Sequence, residues 1–113
     1  MSLPQPLPDP LIELIARRFR VIGEPMRIKL LDSLRAREAS VSELCEATGA
    51  SQQNVSKHLG VLLEAGIVGR RKDGNRVVYS IADESIFRLC EEVCGGLQRQ
   101  VDELNAIVAG VGR

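Results

Sequence analysis

The sequence predicts a mainly α-helical domain that carries one small β-hairpin, and three observations support this fold class. Residues 51–66 place aliphatic side chains on one face and polar side chains on the other, as an amphipathic helix does. A second helical pattern ends at Gly49, so the two helices and the turn between them match a helix-turn-helix. Residues 67–81 form two runs rich in β-branched and basic side chains around Asp73-Gly74-Asn75, a sequence typical of a hairpin turn. Together these features predict a winged helix-turn-helix.

Length and composition predict a single domain. A chain of 113 residues supports one small core, and because only 3% of the residues are aromatic, aliphatic side chains must fill it. We expect a flexible lead-in over residues 1–8, the domain over residues 9–109 and a short tail over residues 110–113. The chain has neither an apolar run of about eighteen residues nor a signal-peptide pattern, so no membrane association is expected. Three cysteines without a disulfide framework favour a reducing cytoplasm.

Capping residues and helical spacing predict five helices. They are expected at about residues 9–22, 25–37, 41–48 and 52–65, and from near Asp83 onward. Ser40 and Glu43 form a capping box for the third helix, and Ser51 is the expected N-cap of the fourth. The side chains expected to face the core from the second, third and fourth helices are Ile28, Leu30, Leu31, Leu34, Val41, Leu44, Cys45, Val55, Leu59, Leu62 and Leu63.

The exposed face of the fourth helix carries side chains suited to DNA bases. Gln53 and Asn54 can make paired hydrogen bonds to adenine, and Lys57 can reach guanine or a phosphate. Although the whole chain is neutral, five Lys/Arg against two Asp/Glu give residues 51–80 a net charge of +3, which suits phosphate contacts. The residues expected to contact DNA are Ser51, Gln52, Gln53, Asn54, Ser56, Lys57, Arg70, Arg71, Lys72 and Arg76. The alternative is an ordinary solvated helix face beside a surface hairpin.

The apolar pattern of the last helix predicts that the chain forms a homodimer. Its apolar residues recur at steps of three and four, a near-heptad pattern that a small domain cannot bury alone. We therefore expect a homodimer joined by the first and last helices. Gly95-Gly96 interrupts the pattern and is expected to weaken or bend the helix. The expected interface residues are Leu11, Leu14, Ile15, Ile86, Cys90, Val93, Leu97, Val101 and Leu104.

Four segments of the chain carry a resemblance to a known family. They are residues 19–27 (FRVIGEPMR), 51–59 (SQQNVSKHL), 63–68 (LEAGIV) and 70–76 (RRKDGNR), with Tyr79. From about residue 12 to residue 100, the chain resembles the ArsR/SmtB family of transcriptional regulators. It implies a homodimeric repressor that binds an inverted repeat in double-stranded DNA and releases it when an inducer binds. By the same resemblance, the inducers of such proteins include metal or metalloid ions, oxidants and reactive sulfur, and some members have no known ligand.

Both standard metal sites of the family are incomplete in this sequence. One family site is a Cys-x-Cys pair at the start of the third helix, and its positions hold Ser40 and Ser42. The other is a zinc site of Asp, His, His and a carboxylate, and its positions hold Asp83, Ser85, Gly96 and Arg99. The only histidine, His58, lies at the edge of the buried face of the fourth helix. We expect His58 to pack or to face DNA rather than to bind a metal.

The three cysteines leave thiol chemistry open. Cys90 and Cys94 are four residues apart, so their sulfurs share one helix face, and Cys45 offers a third thiol from another helix. Thiolates favour soft ions such as arsenite, Cd(II), Hg(II), Cu(I) or Zn(II), and a dithiol can also be oxidised. The competing interpretation is structural, because cysteine packs as a small hydrophobe. No cofactor is therefore certain, and a thiophilic metal or metalloid ion is the candidate inducer.

Other classes of function have less support in the sequence. An enzyme is not expected, because the chain has no Ser/His/Asp set, no Gly-rich phosphate loop and no clustered acidic pair. A winged helix used only for protein contact remains an alternative, since the net charge is zero. Among DNA-binding proteins, the alternative is a regulator that thiols do not control and that responds to an organic ligand or to its own concentration.

Overall fold

The computed structural model describes residues 2–111 and shows five helices and one hairpin. In chain order the elements are α1 (Asp9–Ile22), α2 (Pro25–Ala36), α3 (Val41–Thr48), α4 (Gln52–Glu64), β1 (Val68–Asp73), β2 (Arg76–Ile81) and α5 (Ser85–Val111). This order confirms the winged helix-turn-helix, with α3 and α4 as its two helices and the β1–β2 hairpin as the wing. Residues 110 and 111 of the expected tail continue α5, and residues 112 and 113 lie outside the described residues. The chain forms two compact units, one ending at Ala82 and the other beginning at Asp83.

Local hydrogen bonds fix the turn between α3 and α4. The Ser40 hydroxyl accepts from the Glu43 backbone N–H at 3.2 Å, and the Glu43 carboxylate accepts from the Ser40 N–H at 2.9 Å, which confirms the capping box. Gly49 ends α3 with a φ of 74°, a left-handed conformation that glycine adopts without a steric penalty. The Ser51 hydroxyl then caps α4 by accepting from the Asn54 N–H at 3.2 Å.

The core of the first unit lies where α2, α3, α4 and β1 meet. Its least exposed large side chains are Leu30, Leu44, Val55, Leu59, Leu62, Ile67 and Val68. The expectation for Ile28 was wrong, because this side chain is 45% exposed. At about 100° per residue, Ile28 lies roughly 110° around α2 from the middle of the arc that Leu30, Leu31 and Leu34 bury. Val41, Cys45 and Leu63, also expected in the core, are half-buried.

The wing is a two-residue hairpin that is tied to the rest of its unit. Asp73 pairs with Arg76 across the antiparallel strands, so Gly74 and Asn75 form the loop. Gly74 has a φ of 65° at the first loop position, as a type II′ turn requires. On its outer side, β2 forms a backbone bridge through Tyr79, which exchanges hydrogen bonds of 2.8 and 3.0 Å with Ala39. This bridge fixes the wing beside the segment that joins α2 to α3.

The second unit is the long helix α5. It is continuous through Gly95 and Gly96, where the sequence predicts a weaker or bent helix. Asp83 precedes it and accepts a hydrogen bond from the Ser85 N–H at 2.9 Å. Most apolar residues of the near-heptad pattern, which we call the α5 seam, are exposed in the single chain. Their exposed fractions lie between 50% and 61% for Val93, Leu97, Val101, Leu104 and Val108. No helix within residues 2–111 combines the length and the hydrophobicity that a membrane crossing requires.

Candidate nucleic-acid interface

The sequence-predicted base-contacting residues lie on the outer side of α4. Packing fixes this orientation, because Val55, Leu59 and Leu62 on the opposite side are fully buried. The residues that form what we call the polar face of α4 are Ser51, Gln52, Gln53, Asn54, Ser56 and Lys57, all exposed except the half-buried Asn54. Amides and an ammonium group held outward on a helix are suited to hydrogen bonds with base edges in the DNA major groove.

The wing brings together the four predicted cations of residues 70–76. Arg70, Arg71, Lys72 and Arg76 are all exposed. Because side chains alternate along a strand, Arg70 and Lys72 share one face of the ribbon, whereas Arg71 shares the other with Arg76 through the Asp73–Arg76 pair. Cations on both faces of a narrow ribbon can contact phosphates without regard to sequence.

Two glutamates outside the wing form ion pairs with wing arginines, and the sequence did not predict these pairs. Arg71 donates from Nη2 to the Glu38 carboxylate, and Arg76 donates from Nη2 to the Glu43 carboxylate. Each pair joins residues 33 positions apart in the chain. The only local signal was the capping box, which located Glu43 at the start of α3 but gave no indication of Arg76. Both pairs therefore depend on the folded position of the wing.

Glu43 is held in its ionised form. Its hydrogen bonds with the backbone and the hydroxyl of Ser40 are the main causes that lower the pKa of the Glu43 carboxyl. Burial opposes this shift, and the charges of Arg76 and Arg37 add to it. A carboxylate that is ionised at neutral pH is available both to cap α3 and to pair with the wing.

This pKa shift predicts how stability depends on pH. The pKa of Glu43 is lower in the folded chain than in the unfolded chain. The ionised carboxylate therefore stabilises the fold at pH values above the ordinary carboxyl pKa, and this stabilisation is lost as pH falls through the lowered pKa. We expect urea unfolding, followed by circular dichroism, to show wild type losing stability relative to Glu43→Gln over that acidic window. A difference between the two proteins that does not change with pH would contradict the assignment.

His58 is a packing residue of α4. It is 8% exposed, and its Nδ1 lies 3.7 Å from the nearer Glu24 carboxylate oxygen, beyond hydrogen-bond distance. The same oxygen of Glu24 caps α2 by accepting from the Arg27 N–H at 3.0 Å. Burial therefore supports the packing interpretation of His58 over a direct role at the DNA surface.

The three cysteines are free thiols that differ in exposure. Cys45 on α3 and Cys90 on α5 are half-buried, and Cys94, one turn after Cys90, is exposed. Among residues 2–111, no three His, Cys, Asp or Glu side chains come together as metal ligands. The family's Cys-x-Cys positions, Ser40 and Ser42, lie at the N-terminus of α3, where Ser40 caps the helix.

A shallow apolar groove runs along α1 in the first unit. It has a volume of about 400 Å³ and is lined by Leu14, Ile15, Arg17, Arg18, Val21 and Ala65. Arg18 donates to the carbonyl oxygen of Ala65 at 2.7 Å and so places a cation at the C-terminal end of α4. This contact joins one of the expected dimer helices to the helix that carries the polar face.

The fold and this surface define a winged helix-turn-helix protein of the DNA-binding class. Residues 24–69 match the family described as bacterial regulatory protein, arsR family. The chain belongs to this arsR family of transcriptional regulators.

Individual relatives agree with this assignment. Over 82 residues the chain is 43% identical to the uncharacterized HTH-type transcriptional regulator Rv0081 of Mycobacterium tuberculosis, and the match covers 72% of each protein. It is 39% identical to a probable mercury resistance operon repressor of Streptomyces lividans, over 66% of this chain and 59% of that protein.

Solved structures show the same fold. The crystal structure of Rv0081 superposes with a TM-score of 0.75 and 38% identity, over 85% of this chain and 97% of that one. The solution structure of the homodimeric winged helix-turn-helix DNA-binding domain of Mb0332 from Mycobacterium bovis gives a TM-score of 0.71 and 29% identity, over 82% and 86% of the two chains.

Proposed function

We propose that this protein is a homodimeric transcriptional repressor that binds an inverted-repeat operator through α4 and the wing. The observation that carries the proposal is the pairing of the exposed polar face of α4 with a wing that holds four exposed cations. Gln53 and Asn54 contact base edges, Lys57 contacts guanine or a phosphate, and the wing cations neutralise phosphates. The protein acts by binding and not as an enzyme, and its three free thiols suit a reducing cytoplasm.

The dimer joins copies through α1 and α5. The α5 seam exposes five aliphatic side chains in the single chain, and Leu14 in the α1 groove is 59% exposed. Apolar surface of this extent is typically covered by a partner. Ile86, also expected at the interface, is 2% exposed, so it contributes to packing already present in one chain. The homodimer formed by the Mb0332 domain supports self-association. A two-fold dimer sets two α4 helices about 34–36 Å apart, one turn of DNA.

Substitutions in α4 separate base contacts from phosphate contacts. We expect Gln53→Ala to lose about 1–3 kcal/mol of binding free energy on a preferred site and to relax the preference at one base pair. If Lys57 contacts phosphate, Lys57→Ala should weaken specific and nonspecific binding alike and lower the salt slope of binding by about one. The measurement is fluorescence anisotropy on a site selected from random duplex DNA. Lys29→Ala removes the same charge from an exposed position of α2 and is the matched control. Unchanged binding in both α4 variants would favour a protein-contact module.

We further propose that Cys90 and Cys94 make the repressor responsive to a thiophilic ion. Their spacing places two thiols on one face of α5, and Cys94 is open to solvent. The resemblance to a probable mercury resistance operon repressor supports a soft-metal inducer. Neither standard family site fits, because Ser40, Ser42, Ser85, Gly96 and Arg99 stand where its ligands would be. Cys45, which is half-buried on α3, is assigned a packing role.

The thiol proposal predicts release of DNA that depends on the cysteine pair. Addition of Hg(II), Cd(II) or arsenite to reduced protein is expected to weaken operator binding about 5- to 150-fold. The double variant Cys90→Ser/Cys94→Ser should keep its affinity, and thiolate-to-metal absorbance should appear in wild type alone. An oxidised sample tests a disulfide, which an intact helix accommodates poorly at this spacing. If no treatment releases DNA, control lies with an organic ligand or with protein concentration. If both proteins release DNA alike, the ion acts at a site other than the Cys90/Cys94 pair, with the remaining thiol of Cys45 as the first candidate.

A further inference from the structure

The two arginines on one face of the wing are already paired with carboxylates of the same chain. Arg71 pairs with Glu38 and Arg76 with Glu43. The arginine side chains are 53% and 55% exposed, and the glutamate side chains are 45% and 39% exposed. Ion pairs this open to water are weak and exchange readily. The guanidinium groups are therefore occupied in the free protein but remain accessible to a stronger anionic partner.

Hydrogen bonds fix the position of the backbone segments that carry both glutamates. Glu38 directly precedes Ala39, whose hydrogen bonds to Tyr79 fix this segment beside β2. Glu43 is fixed by the capping box with Ser40. An open groove of about 500 Å³ adjoins the second pair and is lined by Ser40, Val41, Ser42, Glu43, Arg76 and Val77. The structure thus places two carboxylates at set positions on the same side of the wing.

We propose that Glu38 and Glu43 compete with DNA phosphates for Arg71 and Arg76 and so set the overall affinity of the wing for DNA. The proposal rests on the proposed function, because it requires the wing to contact the DNA backbone. On binding, each arginine exchanges a carboxylate for a phosphate, and the released carboxylate becomes hydrated. Arg70 and Lys72, which lie on the other face of the ribbon, make no such exchange with these two glutamates.

The proposed exchange predicts effects on DNA affinity and on its salt dependence that ion pairs with a purely structural role would not produce. Phosphate contacts carry no sequence information, so the two glutamates lower specific and nonspecific affinity by the same factor. A freed arginine also adds to the counterions displaced from DNA, so removing a glutamate charge should steepen the salt dependence of binding. A wing with lower affinity for random DNA spends less of its time on nonspecific sites.

Charge-neutral glutamine variants test the proposal in the full-length protein. We expect Glu38→Gln and Glu43→Gln each to tighten binding about two- to fivefold, on both a selected site and an unrelated duplex. The log–log salt slope should steepen by up to about one per substitution. Glutamine keeps an oxygen that can accept the Ser40 N–H, so Glu43→Gln leaves an acceptor for the α3 cap. Asp32→Asn is the matched control, because Asp32 pairs at 2.7 Å with Arg35 and not with the wing.

A double-mutant cycle identifies the route by which Glu38 acts. In an Arg71→Ala background, Glu38→Gln should no longer tighten binding. The proposal is overturned if Glu38→Gln still increases DNA affinity in the Arg71→Ala background. It is also overturned if Glu38→Gln increases affinity no more than Asp32→Asn does, or if Glu38→Gln lowers affinity. If Arg71→Ala itself leaves DNA affinity unchanged, the wing contact fails as well, and the proposed function fails at that residue. Weaker binding by Arg71→Ala with no effect of either glutamate would leave the function intact and reject the competition.

Discussion

A glutamate in place of Leu97 is expected to dissociate the proposed dimer and to weaken operator binding by roughly 10²–10⁴-fold. Leu97 is 58% exposed in the single chain, so a charge there costs the monomer little. In a dimer the same position lies in the α5 seam, where burying an unpaired carboxylate is unfavourable. The loss on DNA is large because a dimer gains avidity from two half-sites, and a monomer binds only one.

Sedimentation equilibrium and anisotropy on the same samples measure the two effects together. Ala106→Glu is the matched control, since Ala106 is exposed on α5 about 180° around the helix axis from Leu97. We expect this control to remain dimeric and to bind as wild type does. If Leu97→Glu also stays dimeric, the α5 seam is not the interface.

Truncation of Leu59 to alanine is expected to destabilise the protein by about 2–5 kcal/mol. Leu59 is 0% exposed on the inner side of α4, so its removal leaves a cavity where α4 packs on the core. The measurement is the free energy of unfolding from urea titration followed by circular dichroism. A loss of this size is a large part of the free energy of unfolding, which is typically about 5–15 kcal/mol for a folded domain.

Ile28→Ala provides the comparison for a partly exposed aliphatic residue. Because Ile28 is 45% exposed, we expect its truncation to cost less than about 1.5 kcal/mol. Equal losses at the two positions would show that α4 is not seated on the core as described, and the orientation of its polar face would then need revision.

The elements that local chemistry controls were predictable from the sequence. The N-caps at Ser40 and Ser51 and the glycine at position 49 set the limits of α3 and α4, and these limits were confirmed. The sequence likewise located the hairpin turn at Asp73-Gly74-Asn75, although Asp73 belongs to β1 and pairs with Arg76, so that only Gly74 and Asn75 form the loop. These signals act over three to five residues, so they remain visible without tertiary structure.

Contacts between distant segments were not predictable in the same way. Nothing local in the sequence indicates that Glu38 meets Arg71, or that Ala39 bridges to Tyr79, because these contacts depend on how the wing folds back. The exposure of Ile28 was also missed, since an aliphatic residue on a helix does not by itself show which arc the neighbouring elements cover. For the polar face of α4 the sequence identified the side chains, and the structure showed that all of them except the half-buried Asn54 are exposed.

Selection of DNA sites from a random duplex library tests the central claim most directly. For a homodimer that places α4 in the major groove, we expect wild type to enrich an inverted repeat whose half-site centres lie about 10–10.5 base pairs apart. We expect Gln53→Ala to lose the preference at one position within each half-site while keeping that spacing. If the library yields no enriched sequence, or a sequence whose preferences Gln53→Ala leaves unchanged, the assignment of α4 as the base-contacting helix is wrong.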